Sequence, residues 1–140
     1  PPITITGGVA TLERQAAVFH IGLGYRGELE TNDLEGGGLN GVSQTKPKSM
    51  YQVGIRFLNS LYVRYGVNRY KLNQIEGRTA NMRMDRPPVP FTGDQRVTYA
   101  NELADDRQGG WTKSKRVVLV QDLPFPCYIQ LVVPYFSTSN

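Results

Sequence analysis

The sequence predicts an all-β domain: an antiparallel β-sandwich or barrel of about seven or eight short strands joined by long loops. Three observations predict it. Several stretches alternate apolar and polar residues with a period of two, as half-buried strands do. No stretch keeps an apolar period of 3.6 residues for more than about two turns. Gly and Pro are plentiful, with 15 and 9 copies in 140 residues, and many of them fall between the alternating runs, where turns and loops belong.

Ile3 and Ile5 alternate with threonines and predict a first short strand, ended by Gly7-Gly8. Ala17, Phe19, Ile21 and Leu23 then form a period-2 face opposite Val18, His20 and Gly22. Residues 25–45 are acidic and glycine-rich, with breakers at Gly36-Gly37-Gly38 and Asn40-Gly41, and read as a surface loop. Lys46-Pro47-Lys48 leads into a strand with Tyr51, Val53, Ile55 and Phe57 on one face. Asn59-Ser60 reads as a two-residue turn and Leu61–Val67 as the return strand of a hairpin, which sets Arg56 and Arg64 on one face. Two facing arginines repel unless an anion lies between them.

From Asn68 to Gly93 the alternation stops. Arg86-Pro87-Pro88-Val89-Pro90 must be extended, because a proline forces its predecessor out of the helical region. A long irregular segment in a compact domain is usually an interaction arm. Arg96–Ala100 is a short strand, with Val97 and Tyr99 on one side. Ala104-Asp105-Asp106 suggests a helical turn, and Trp111 reads as a lid on the core.

The C-terminal part carries the strongest strands. Val117–Val120 is apolar on both faces, as in a strand covered on both sides. Pro124 and Pro126 stop that run. In the second run Cys127, Ile129, Leu131 and Val133 share one face, and Tyr128, Gln130 and Val132 the other. Such a pair is too apolar to stand alone, so the rest of the chain must cover it.

The length implies one domain, residues 1–140, with enough chain to bury a core. The chain opens on Pro-Pro without an initiator Met, which predicts a processed product or a piece of a longer chain. Cys127 is the single cysteine, so no intrachain disulfide exists, and its apolar strand position reads as a small buried hydrophobe. No apolar run approaches the roughly 18 residues of a membrane-spanning helix.

Little in the residues points to catalysis, and no enzymatic activity, catalytic residue, metal site or cofactor is expected. The lone His20, on a strand beside glycines, reads as structural; a base needs a positioned partner. The glycine cluster lacks the Gly-Lys-Ser/Thr ending of a phosphate loop, and four nearby carboxylates oppose phosphate. The spaced acidic pattern of a calcium loop is missing. A glycosidase-type carboxylate pair from Glu28, Glu30 and Asp33 is the one catalytic arrangement to weigh.

Net charge is +4, from 16 basic and 12 acidic side chains, and it is uneven. Residues 1–45 hold two basic and five acidic side chains, whereas residues 46–86 hold nine basic and two acidic. A basic middle suits nucleic acid or an acidic neighbouring subunit. An alternative function is therefore a basic β-domain that binds nucleic acid through Arg64, Arg69, Lys71, Arg78 and Arg83. Basic and aromatic residues interleave there, as at Arg69-Tyr70-Lys71. A receptor- or polysaccharide-binding module is a further alternative.

Nine stretches taken together resemble one family. They are Phe19-His-Ile-Gly-Leu-Gly-Tyr25, Leu34-Glu-Gly-Gly-Gly38, Gly41-Val-Ser-Gln44, the Val53–Phe57 strand, Asp85-Arg-Pro-Pro, Phe91-Thr-Gly-Asp94, Gly109-Gly-Trp111, Val120-Gln-Asp-Leu-Pro-Phe-Pro126 and Pro134. In this order they resemble the C-terminal part of tail tubular, or nozzle, proteins of short-tailed bacteriophages, related to packaged-DNA stabilisation proteins. The family's basic run before the first long strand is here the less basic Gln44-Thr-Lys-Pro-Lys48. The resemblance implies a virion structural protein, made in the bacterial host cytoplasm and built into the phage tail. It implies self-association in a ring, commonly a hexamer, below the portal and next to adaptor proteins. The tube so formed retains the genome and passes DNA transiently at ejection. A ring needs heterologous interfaces. The candidate interface is the acidic Glu28, Glu30 and Asp33 of one copy against Arg69, Lys71, Arg78, Arg83 and Arg86 of the next, because arginine suits bidentate contact with carboxylates.

Overall fold

A computed structural model describes residues 3–13, 15, 17, 21–38, 41–77, 82, 83, 85–99 and 111–139. These residues are all β, with no helix. The strands are β1 (Gly27–Glu30), β2 (Gly37–Gly38), β3 (Gly41–Val42), β4 (Lys48–Ser60), β5 (Tyr62–Gly66), β6 (Asn73–Glu76), β7 (Phe91–Thr98), β8 (Val118–Gln121) and β9 (Tyr128–Thr138). Seven of them form two antiparallel sheets, ordered β1-β8-β5-β6 and β7-β4-β9; β2 and β3 make a separate short ladder. The sheets are not closed into a barrel, so of the two predicted architectures the sandwich-like one is formed.

One core joins the sheets. Met50, Val53, Ile55 and Phe57 of β4 and Val97 of β7 meet Val63 and Tyr65 of β5, Ile75 of β6 and Leu119 of β8. Tyr65 and Tyr99 stack edge to face at 5.5 Å, and the Tyr65 hydroxyl donates to the Thr98 carbonyl across the sheets (3.2 Å). β8 lies between β1 and β5 with all four residues buried, and Val117 before it is buried too, as its apolar sequence predicts. Two lysines, Lys48 and Lys115, are also buried. Lys48 Nζ donates to the Lys113 carbonyl (3.2 Å), and burial lowers the Lys115 pKa.

The predicted hairpin does not form. β4 and β5 follow one another in sequence but belong to opposite sheets, and so do β8 and β9. Each pair turns a corner, and the two corners are bonded together. Asn59 takes a left-handed φ of 48° and the chain crosses at Leu61. The Leu61 N–H donates to the Pro126 carbonyl (3.0 Å), and the Tyr128 N–H donates to Ser60 Oγ (2.8 Å). Gln121 Nε2 donates to the carbonyls of Leu123 (2.7 Å) and Phe125 (2.8 Å), which folds the proline segment over the end of β8. The turn residues were legible; which sheet the next strand would join was not. Arg56 and Arg64 consequently do not face each other: Arg56 holds Asp94 bidentately (2.6 and 2.8 Å) and Arg64 holds Asp122 (2.9 Å).

Bulges shift the phase of the two longest strands. Met50 is opposite Phe136 and Gln52 opposite Tyr135, so Tyr51 is an extra residue on β4. Met50 is buried and Tyr51 is 52% exposed, the reverse of strict alternation. Arg56 is opposite Leu131 and Phe57 opposite Ile129, so Gln130 is extra on β9. Cys127 and Ile129 pack on the core before this bulge, and Val132 and Phe136 after it; Leu131 is 46% exposed. The predicted face of Cys127, Ile129, Leu131 and Val133 therefore holds only for its first half.

Other expectations are corrected as well. The predicted loop 25–45 contains β1, β2 and β3, and the predicted irregular segment 68–93 contains β6 and the start of β7. Ile3 and Ile5 are exposed and lie in no strand; a bridge pairs Thr6 with Val9 around Gly7-Gly8. Residues 21–26 form no strand, and Ile21 and Leu23 are exposed. Trp111 is exposed rather than a core lid. Phe19, His20 and residues 100–110, with their predicted helical turn, lie outside the described residues.

The bulge at Gln130 makes opposite demands on two adjacent residues. Leu131→Asp should change stability by no more than about 0.5 kcal/mol, as at most exposed sites. Val132→Asp, which puts a carboxylate against the core, should unfold the chain or cost several times as much. Urea denaturation of the two variants measures the difference; equal costs would contradict the register.

Candidate subunit interface

Of the predicted interface residues, Glu28 and Glu30 lie on β1, Asp33 follows it, and Arg69 and Lys71 follow β5. β8 binds β1 on one side and β5 on the other, with Glu28 opposite Val120, Glu30 opposite Val118, and Arg64 opposite Val120. Arg116 precedes β8, and Arg69 lies in the turn after β5, where Asn68 Oδ1 accepts the N–H groups of Tyr70 (3.0 Å) and Lys71 (2.8 Å). Thr31 fixes the other end of β1: its N–H donates to the Val117 carbonyl and its Oγ1 accepts the Val117 N–H, both at 3.0 Å.

This framework sets the charges in an alternating row: Arg26, Glu28, Arg69, Glu30, Arg116, Asp33. Arg26 lies 3.3 Å from Glu28. Arg69 contacts Glu28 and pairs with Glu30 (2.9 Å). Arg116 pairs with Glu30 (3.0 Å) and Asp33 (2.8 Å), and Ser114 Oγ donates to Asp33 (2.5 Å). The Arg116 hydrogen bond is the main cause holding both Glu30 and Asp33 below the usual carboxylate pKa. Arg69 adds to it at Glu30, and Ser114 at Asp33.

The acids expected to receive a neighbour's arginines thus have arginine partners within their own chain. Of the five basic candidates, Arg69 pairs with these acids, at Glu28 and Glu30. Arg83 pairs with Asp85 two residues away (2.6 Å), Arg86 is exposed, Lys71 is half-buried, and Arg78 lies outside the described residues. Sequence reading missed Arg116, Arg26 and Ser114. No spacing rule links residues 30 and 116; the β1–β8 register does.

Two chemical readings are weakened by this geometry. A glycosidase acid needs a raised pKa, whereas Glu30 and Asp33 are held ionised by arginine. Of the five basic residues in the nucleic-acid reading (Arg64, Arg69, Lys71, Arg78 and Arg83), Arg64, Arg69 and Arg83 are each matched to a carboxylate of their own chain. Among the described residues, no group of three His, Cys, Asp or Glu is placed to hold a metal ion, and no helix is long and apolar enough to cross a membrane. No protein-family model matches the chain, and no curated protein matches it.

Glu30 and Asp33 have depressed pKa values, so their contribution to stability is present above the unfolded carboxylate range and is lost as pH falls through their folded values. In Arg116→Gln both carboxyls should titrate at higher pH, by NMR of the side-chain carboxyl carbons, and the thermal midpoint should depend less on pH between about 5 and 3. Binding to single-stranded DNA should be absent or weaker than micromolar even at low salt, by fluorescence anisotropy. Tight binding that collapses with salt would restore the nucleic-acid reading.

Proposed function

From the fold and the charged row we infer first a class: a structural β-sandwich-like domain whose polar side chains tie strands to strands. Within that class we propose that the chain is a structural domain of a short-tailed bacteriophage tail tube, part of the nozzle ring that retains the packaged genome and passes it at ejection. The observation that carries this reading is where the family-like motifs fall. Four of the nine, at 34–38, 41–44, 91–94 and 120–126, hold turns and strand ends together. Val120–Pro126 makes the β8–β9 corner, with Gln121 bonding two of its carbonyls. Phe91–Asp94 opens β7, where Gly93 adopts a φ of 142° beside the Phe91 ring. Ser43 Oγ accepts the Gly36 N–H (2.9 Å), joining the two glycine-rich motifs.

In this reading the copies form a ring, commonly six-fold, next to adaptor and portal-proximal proteins, in the virion. The arm that precedes β7 supplies a contact to the neighbouring copy. Its residues 85–87, 89 and 90 are exposed, with Val89 70% exposed, and Tyr70 before it is 96% exposed. Prolines pre-set an extended conformation that loses little entropy on docking. The ion pairs alone would not hold a ring, because exposed pairs contribute little.

Electron microscopy of the parent particle, or of the full-length protein, tests the proposal. The expected image is a ring of copies in the tail with segment 85–90 against the next subunit. A ring with that segment free in solvent would remove the arm contact; a parent protein that belongs to no virus particle would remove the function.

A further inference from the structure

We propose that β7 is a self-complementary edge through which two copies of the chain pair antiparallel, joining their three-stranded sheets across a two-fold axis at Gln95. The inference does not rest on the tail-tube reading. A two-fold contact closes at two copies, whereas a ring needs contacts between different patches.

An open edge strand templates pairing with another chain, and proteins guard such edges by shortness, proline or cover. β1 and β6, the edges of one sheet, have four residues each. β9, an edge of the other, is guarded differently. The Tyr99 N–H donates to the Tyr51 carbonyl (3.1 Å), and Gln52 is opposite Thr98. In an antiparallel ladder this directs the backbone groups of Val53, Ile55 and Phe57 toward β7. Val53 is opposite Pro134 on its other side. Pro134 therefore stands where an N–H would point to the open side of β9, and it has none to offer. β7 has eight residues, no proline within it, and no further strand beside it among the described residues.

The same register leaves the backbone groups of Thr92, Asp94, Arg96 and Thr98 pointing away from β4. Charge then selects one pairing. Centred on Gln95, it sets Asp94 opposite Arg96 of the second copy, twice by symmetry, and Thr92 opposite Thr98. Centring on Arg96 sets arginine against arginine, and centring on Asp94 sets carboxylate against carboxylate. Opposite charges and Thr–Thr pairs across strands are favourable, and like charges are not. Asp94 and Arg96 share the outer face, opposite Arg56 and Gly54. Asp94 already accepts two bonds from Arg56, but a carboxylate has about four acceptor sites. Arg96 lies over the Tyr135 ring, 5.6 Å from its centroid, on that same face.

Sedimentation equilibrium of the chain over a range of concentrations is the first test, and a dimer that weakens with salt is expected. Arg96→Asp turns both opposite-charge pairs into like-charge pairs and should weaken the dimer by about tenfold or more, with its near-ultraviolet circular dichroism unchanged. Gln95 faces its own copy in a pair whose Cβ atoms are about 4.5–5.5 Å apart. Gln95→Cys should therefore cross-link to a second Gln95→Cys chain under mild oxidation, while Thr98→Cys should not. A chain that stays monomeric at every soluble concentration would overturn the proposal. So would a dimer indifferent to Arg96→Asp, or cross-linking as fast at position 98 as at 95.

Discussion

The constraint on which most of this structure depends is that β4 must keep an apolar face turned inward along 13 residues while bonded on both edges. Side chains alternate strictly in a regular strand, and one residue out of step sends every later apolar side chain into water. The extra residues Tyr51 on β4 and Gln130 on β9 absorb that conflict. Each lets the chain re-enter the ladder in the phase that buries Met50 before the step, or Val132 after it. Without these bulges β4 and β9 would each have to expose core residues along half their length.

Where apolar contacts end, polar groups take over the positioning. Both crossings between the sheets sit side by side and are bonded to one another through Ser60, Leu61, Pro126 and Tyr128. A corner of this kind leaves backbone donors without ladder partners, and they need acceptors elsewhere. At the other sheet the alternating arginines and acids join β1 to the residues flanking β5 and β8. These pairs are exposed, so they act more on register and on which charges stay presented than on total stability.

The outer surface of the three-stranded sheet combines two opposite treatments of an edge. β9 has its middle donor removed by proline; β7 keeps its donors and places one acid and one arginine symmetrically about Gln95. For a domain read as part of a multi-copy tube, guarding one edge and charging the other restricts the ways in which copies meet. The exposed proline segment before β7 provides a separate, chemically different patch. Two unlike patches are what a ring requires, and one self-complementary patch is what a pair requires.

The sequence by itself determined the all-β class, the inward positions of Val53, Ile55, Phe57, Val97 and the Val117–Val120 run, and the corner at Pro124 and Pro126. These depend on local chemistry: side-chain alternation, β-branching and the fixed φ of proline. It also marked the acidic segment and Arg69 as opposite charges expected to meet between neighbouring copies, whereas the structure pairs Arg69 with Glu28 and Glu30 inside one chain. Only the tertiary structure decided which sheet β5 and β9 would join, where the bulges would fall, that β1 and β6 are strands at all, and that Arg116 would complete the charged row. The reason is physical. Strand pairing is made by backbone groups that every residue carries, so the partner of a strand is written in no local pattern; it is settled by which arrangement buries all the apolar faces at once.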